Sequence, residues 1–163
     1  MDSNIEKIVD AIIAAEGGAK ETNDPADAGG RTKYGIAEKS NPEAWADGTV
    51  TLDEARDIYF KKYVVQPGFD KITDPKLQHQ LVDFGVNSGP FIAIQKLQTV
   101  LGVPVDGKLG PHTYAAVASS DPRAICNKLA GERIKLFVKI CKKAPSQLKF
   151  LEGWVNRACE FLV

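Results

Sequence analysis

Histidine and cysteine are scarce in this chain, with two of the first and three of the second among 163 residues. Hydrolytic zinc sites need ligands at fixed spacing, such as H-E-x-x-H on one helix or paired C-x-x-C motifs. His79 and His112 lie far apart, and Cys126, Cys141 and Cys159 form no such pair, so neither a metal nor another cofactor is expected. Cys126 and Cys141 sit among apolar residues, which points to free thiols acting as small hydrophobes, with one disulfide and a leftover thiol as the alternative. No glycine-rich loop ends in Lys-Ser or Lys-Thr, so no phosphate cradle is signalled. An excess of charge of either sign is also missing: 21 basic and 21 acidic side chains cancel. A nucleic-acid partner, which would call for a basic stripe, is therefore not expected. Apolar runs are short, far below the roughly 18 to 20 residues a membrane span needs, so no membrane anchor is expected. Asp2, Glu6 and Asp10 stand where a signal peptide would be basic or apolar. The inventory leaves carboxylates, hydroxyls and water.

Ile5, Ile8, Val9, Ile12 and Ile13 recur at helical spacing and form one apolar stripe. Ser3 and Glu6 read as a capping box at its start, and Gly17 as the left-handed residue that ends it. Glu16, four residues after Ile12, continues the stripe. A carboxyl on the core side of a helix end is expected to be partly desolvated, and the negative end of the helix dipole acts in the same direction. Both effects favour the protonated form, as general acid catalysis requires.

Residues 23–36 are polar and rich in glycine, and are expected to return as turns or a small hairpin near residues 22–37. Such a return brings Asp24, Asp27 or Thr32 opposite Glu16. Glycosidic hydrolysis needs this pairing: one group protonates the leaving oxygen, and another positions water or stabilises the oxocarbenium-like centre. Spacing does not choose between Asp24 and Asp27.

The ordered series Glu16-Gly17-Gly18, Asn23 to Asp27, and Gly29 to Ile36 resembles glycoside hydrolase family 108. The likeness continues in Asp83 to Gly89, Leu97-Gln98, Asp106 to Pro111 with Thr113, and Gly153-Trp154 with Arg157, nearly the whole chain in order. It departs at Ala19, where the family commonly has an aromatic residue. The resemblance implies an N-acetylmuramidase with a lysozyme-like fold and Glu16 as its acid. Asp24 or Asp27 with Thr32 would hold the attacking water, and Tyr34 and Asn87 would line the saccharide cleft. It also implies bacterial peptidoglycan as partner, and a phage-type lysin made in the cytoplasm and released to the wall by a holin. A lytic transglycosylase and a non-catalytic wall-binding protein are the alternatives.

Further helices are signed by their openings. Thr51 with Glu54 forms a capping box, and Asp74-Pro75 and Asp121-Pro122 pair a cap with proline at the first turn. Asp83 and Asn87 are expected to share a helix face, four residues apart. Ile94, Leu97 and Leu101, then Asp106-Gly107 and Gly110-Pro111, give helix, tight turn, helix, and resemble a peptidoglycan-binding repeat. The expected class is mostly α, an α+β lysozyme-like arrangement. Residues 1–90 are read as a catalytic region and 91–163 as a helical peptidoglycan-binding-like lobe, in a monomer.

Overall fold

The computed structural model describes residues 2–23 and 30–163. Seven α-helices dominate these residues, beside one two-stranded antiparallel sheet, so the expected class holds. The chain divides into two compact units, Met1–Gln66 and Pro67–Val163.

In the first unit, α1 (Ser3–Ala15) buries Ile5, Ile8, Val9, Ile12 and Ile13, the stripe read from the sequence. Its cap differs from expectation: Asp2 occupies the N-cap and accepts from the Asn4 N–H at 2.9 Å, which leaves Ser3 inside the helix. The strands β1 (Thr32–Lys33) and β2 (Ile36–Ala37) pair Thr32 with Ala37 and Lys33 with Ile36. Tyr34 and Gly35 make the turn at φ +53° and +74°, the left-handed pair that a two-residue hairpin of this twist requires. Helix α2 (Leu52–Tyr59) opens on the Thr51/Glu54 capping box and continues into a π-helical turn, Phe60–Val65. Arg56 reaches across to Asp10 with two hydrogen bonds of 2.7 and 2.9 Å, tying α2 to α1.

The second unit is helical throughout: α3 (Pro75–Ser88), α4 (Pro90–Leu101), α5 (Pro111–Ala118), α6 (Pro122–Lys143) and α7 (Leu148–Cys159). Asp74 caps α3 through the Leu77 N–H at 2.8 Å, and Asp121 caps α6 through the Arg123 N–H at 3.1 Å. Gly85 lets the Phe69 ring and Pro90 approach α3 closely. Leu77, Leu81, Phe84, Leu97, Leu129 and Phe137 form the core, with Cys126 and Cys141 beside it. All three cysteines are free, and burial pushes the Cys126 thiol up to about 11.

That core contains a charge cluster. Arg133 is fully buried, and its Nη1 lies 2.7 Å from Asp83 Oδ2 in a charge contact rather than an aligned hydrogen bond. Arg157 closes on the other oxygen, with Nε at 2.9 Å and Nη2 at 2.8 Å. The rings of Phe84, Phe137 and Phe161 surround the Arg133 guanidinium at 5.0 to 6.0 Å, giving cation–π partners in place of water. Desolvation holds Arg133 below the usual arginine range, though Asp83 opposes it. Asp83 and Asn87 therefore do not share an environment: the first is buried in this cluster and the second is exposed. His79 is half-buried, edge-on to the Phe161 ring at 5.1 Å.

Gln98 organises the segment from α4 to α5. Its buried amide nitrogen donates to Asp106 at 2.7 Å, to the Lys108 carbonyl at 2.9 Å and to Thr113 at 3.2 Å. Its carbonyl accepts from the Gly107 N–H at 2.9 Å. Gly107 stands at φ +73°, and a Cβ there would run into the Phe91 ring. The Asp106-Gly107 turn read from the sequence is thus held by one glutamine side chain.

Among the described residues, no helix is long and apolar enough to cross a membrane.

Candidate active site

Glu16 occupies the C-cap of α1, at φ −83° and ψ 10°. The Gly17 N–H bonds to the Ala14 carbonyl at 3.3 Å and the Gly18 N–H to the Ile13 carbonyl at 3.0 Å. This pair of bonds is the Schellman exit, which satisfies carbonyls that a helix end leaves open. The expectation of a core-facing Glu16 fails here. The helix stops at Ala15, the backbone leaves the helical path, and the side chain is exposed instead of extending the apolar stripe.

The same exit positions Glu16 against the hairpin. The Tyr34 N–H donates to the Gly18 carbonyl at 3.0 Å, and Thr22 and Thr32 exchange two backbone bonds of 2.9 Å. Residues 18–22 consequently run beside β1. A Cβ on Gly35 would stand 3.1 Å from the Glu16 Cβ and would collide with the Tyr59 hydroxyl. The hairpin turn, Glu16 and Tyr59 therefore meet at one point, and only glycine fits there. The Tyr59 ring is buried and lies 5.6 Å from that of Tyr63.

Thr32 is half-buried on β1, its hydroxyl 3.5 Å from the Gly30 carbonyl. The fold thus brings Thr32 onto the strand that residues 18–22 accompany. Tyr34 carries a left-handed backbone (φ +53°), a strained setting for a non-glycine residue of the kind that concentrates at functional sites. Asp24 and Asp27 lie outside the described residues. Asn87 belongs to the second unit, exposed on α3.

The hairpin is braced from behind. Arg31 grips Glu38 through two bonds of 3.0 and 2.8 Å, donates to the Gly48 carbonyl at 2.9 Å and stacks over Trp45 at 4.7 Å. The guanidinium hydrogen bond holds the Glu38 carboxyl below the usual carboxylate range. Trp45 in turn donates to the Ile36 carbonyl at 3.3 Å. Neither Tyr59 nor Arg31 is assigned a role from the sequence alone. The signal that could have found Tyr59 is Tyr34-Gly35, since a glycine in a two-residue turn leaves space for a neighbour.

Chemically, the arrangement presents an exposed carboxyl on a fixed helix end, the Tyr59 hydroxyl meeting it at the Gly35 turn, and a hydroxyl on the strand that leads into that turn. Among the described residues, no group of three or more His, Cys, Asp or Glu side chains could hold a metal ion.

Comparisons with known proteins fit this geometry. The family described as glycosyl hydrolase 108 matches residues 9–89, and the one described as predicted peptidoglycan domain matches residues 92–159. Eleven chains of solved structures match. One, titled "Structure of Brucella abortus SagA", is 28% identical, with a TM-score of 0.78 over 99% of this chain and 92% of that one. No curated protein matches. The two matched segments meet near residue 90, whereas the compact units divide at Gln66 and Pro67, because α3 packs with α4 and α6.

Proposed function

From the match of the glycosyl hydrolase 108 family to residues 9–89, we propose that the chain is an N-acetylmuramidase in which Glu16 is the proton donor. That it is a peptidoglycan hydrolase follows from the glycosidase and peptidoglycan families together. The bond we assign is the β-1,4 link between N-acetylmuramic acid and N-acetylglucosamine. The observation that carries the reading is the fixing of Glu16 at the α1 exit, against Gly35 and within the glycosidase-matched segment.

In the proposed reaction, the Glu16 carboxyl gives its proton to the glycosidic oxygen as the bond to the anomeric carbon breaks. Water adds to that carbon and loses its proton to a carboxylate, Asp24 or Asp27, with the Thr32 hydroxyl holding the water in place. Because Glu16 is exposed, the exclusion of water that strengthens proton donation comes from the glycan lying over it. Tyr34, on its strained turn, is assigned to the same glycan. Asn87 is assigned a polar contact with the polymer from the second unit. The setting we propose is a phage-type lysin delivered to the wall by a holin.

Mass spectrometry of muropeptides released from purified sacculi, before and after borohydride reduction, tests the reading. Soluble fragments gaining two hydrogens at a muramic acid end are expected. Anhydro ends that resist reduction would make the chain a lytic transglycosylase, and no release would leave a wall-binding protein.

A further inference from the structure

Two neighbouring cavities of about 320 and 370 Å³ lie along α6 in the second unit, and both are lined by Val100 and Lys128. Together they make a groove between the C-terminal half of α4 and the outer face of α6. One end is lined by Ser120, Asp121, Ala124 and Ile125, and the other by Thr99, Gly131, Glu132 and Lys135. None of the above mechanism uses it.

Charge along the groove is ordered. Asp121 at the N-cap of α6, Lys128 and Lys135 follow one another at intervals of seven residues, so they repeat along one stripe about 10 Å apart. Glu132 is satisfied by Lys96 at 3.0 Å and Lys135 at 2.8 Å, and those lysines hold its carboxyl below the usual range. Lys128, where the cavities join, has no ion-pair partner among the described residues. The groove therefore offers the Lys128 ammonium to a carboxylate and the Asp121 carboxylate to an amine, with small apolar surfaces between. No aromatic side chain lines it, so it has no platform on which a sugar ring could stack.

We propose that this groove binds the peptide stem of peptidoglycan, the portion that carries free carboxylates, a free amine and methyl side chains. The proposal rests on the reading that the chain acts on peptidoglycan. A stem carboxylate pairs with Lys128, the amine turns toward Asp121, and the methyl groups lie over Val100, Ile125 and Gly131. The α6 span from Asp121 to Lys135 is about 21 Å, which accommodates an extended stem of four residues at about 13 Å.

Gly131 makes the proposal separable from damage to the fold. It is a helical residue, and a Cβ added there meets nothing within 4 Å. A side chain at this position stabilises the helix and fills the groove floor.

The experiment is calorimetric titration of the full chain with two probes: a soluble disaccharide-tetrapeptide muropeptide, and glycan strands stripped of peptide by an amidase. Gly131→Leu is expected to raise Tm by about 3 °C while weakening muropeptide binding at least tenfold. Lys128→Glu is expected to weaken it similarly with Tm unchanged, and both variants should bind stripped glycan as the unsubstituted chain does. Muropeptide binding unaffected by both substitutions would overturn this site while leaving the peptidoglycan reading intact. Equal affinity of the unsubstituted chain for the two probes would overturn the peptide assignment. Binding of neither probe would overturn the engagement of peptidoglycan by this unit, and the proposal with it.

Discussion

Glu16 and Asp83 are both carboxylates borne by helices with strong apolar faces, and the two units treat them oppositely. Glu16 stands exposed at a helix exit, fixed by backbone bonds and by a hairpin that only glycine allows so close. Asp83 is buried at mid-helix and closed on both oxygens by Arg133 and Arg157. Desolvation is the property expected of a catalytic acid, yet the desolvated carboxylate here is the structural one. A carboxylate buried in a dry core is closed off from a substrate; one exposed at a rigid helix end can be reached by it. In this chain, access and fixed position mark the candidate acid better than burial.

The comparison can be broken most forcefully at Asp83. Asp83→Ala leaves two arginines facing each other in a dry core, and a loss of about 3–5 kcal/mol in unfolding free energy is expected from denaturant titration. A loss below 1 kcal/mol would show that solvent reaches the cluster. Gln98→Leu comes next. It strips the Asp106-Gly107 turn of its amide partners, and about 2–3 kcal/mol of destabilisation is expected, with the first unit unaffected by hydrogen exchange.

Gly35→Ala sharpens the contrast from the other side. The left-handed backbone costs roughly 1–2 kcal/mol with a Cβ present, and the added methyl collides with the Tyr59 hydroxyl beside Glu16. Turnover on sacculi should fall at least tenfold, and Tyr59→Phe in the same chain should restore part of it by removing the obstructing oxygen.

The smallest effect is a pH dependence. Burial against Phe161 holds His79 below the ordinary histidine value. The folded state then binds fewer protons than the unfolded one, so stability is present above the unfolded value near pH 6.5 and is lost as pH falls through the folded one. Tm measured from pH 7.5 to 5 should drop with a component that His79→Gln removes.

Much of the helical frame was legible because its signals are local. Asp74-Pro75, Asp121-Pro122 and Thr51 with Glu54 each open the helix they announce, since a cap is decided within one turn. The glycines after Glu16 likewise end α1. What periodicity missed is where the helical path itself stops. Extending the stripe of Ile12 to Glu16 assumed that the next position on that face is also covered, but the helix ends there and the Glu16 side chain is exposed. The partners of Asp83 were equally hidden: Arg133 and Arg157 are 50 and 74 residues away in sequence, and only the packing of α3, α6 and α7 brings them together. Gln98 stood out as part of a motif, but its role as a buried staple depends on a turn that its own amide defines.

The most direct test of the assignment to Glu16 is turnover of Glu16→Gln on purified sacculi, measured alongside its thermal unfolding. The exchange keeps the side chain's shape and removes only its ability to give a proton. The account predicts a rate loss of about 10²–10⁴-fold with Tm within about 2 °C of the unsubstituted chain. A folded variant that retains turnover within threefold would contradict it and remove Glu16 from the reaction.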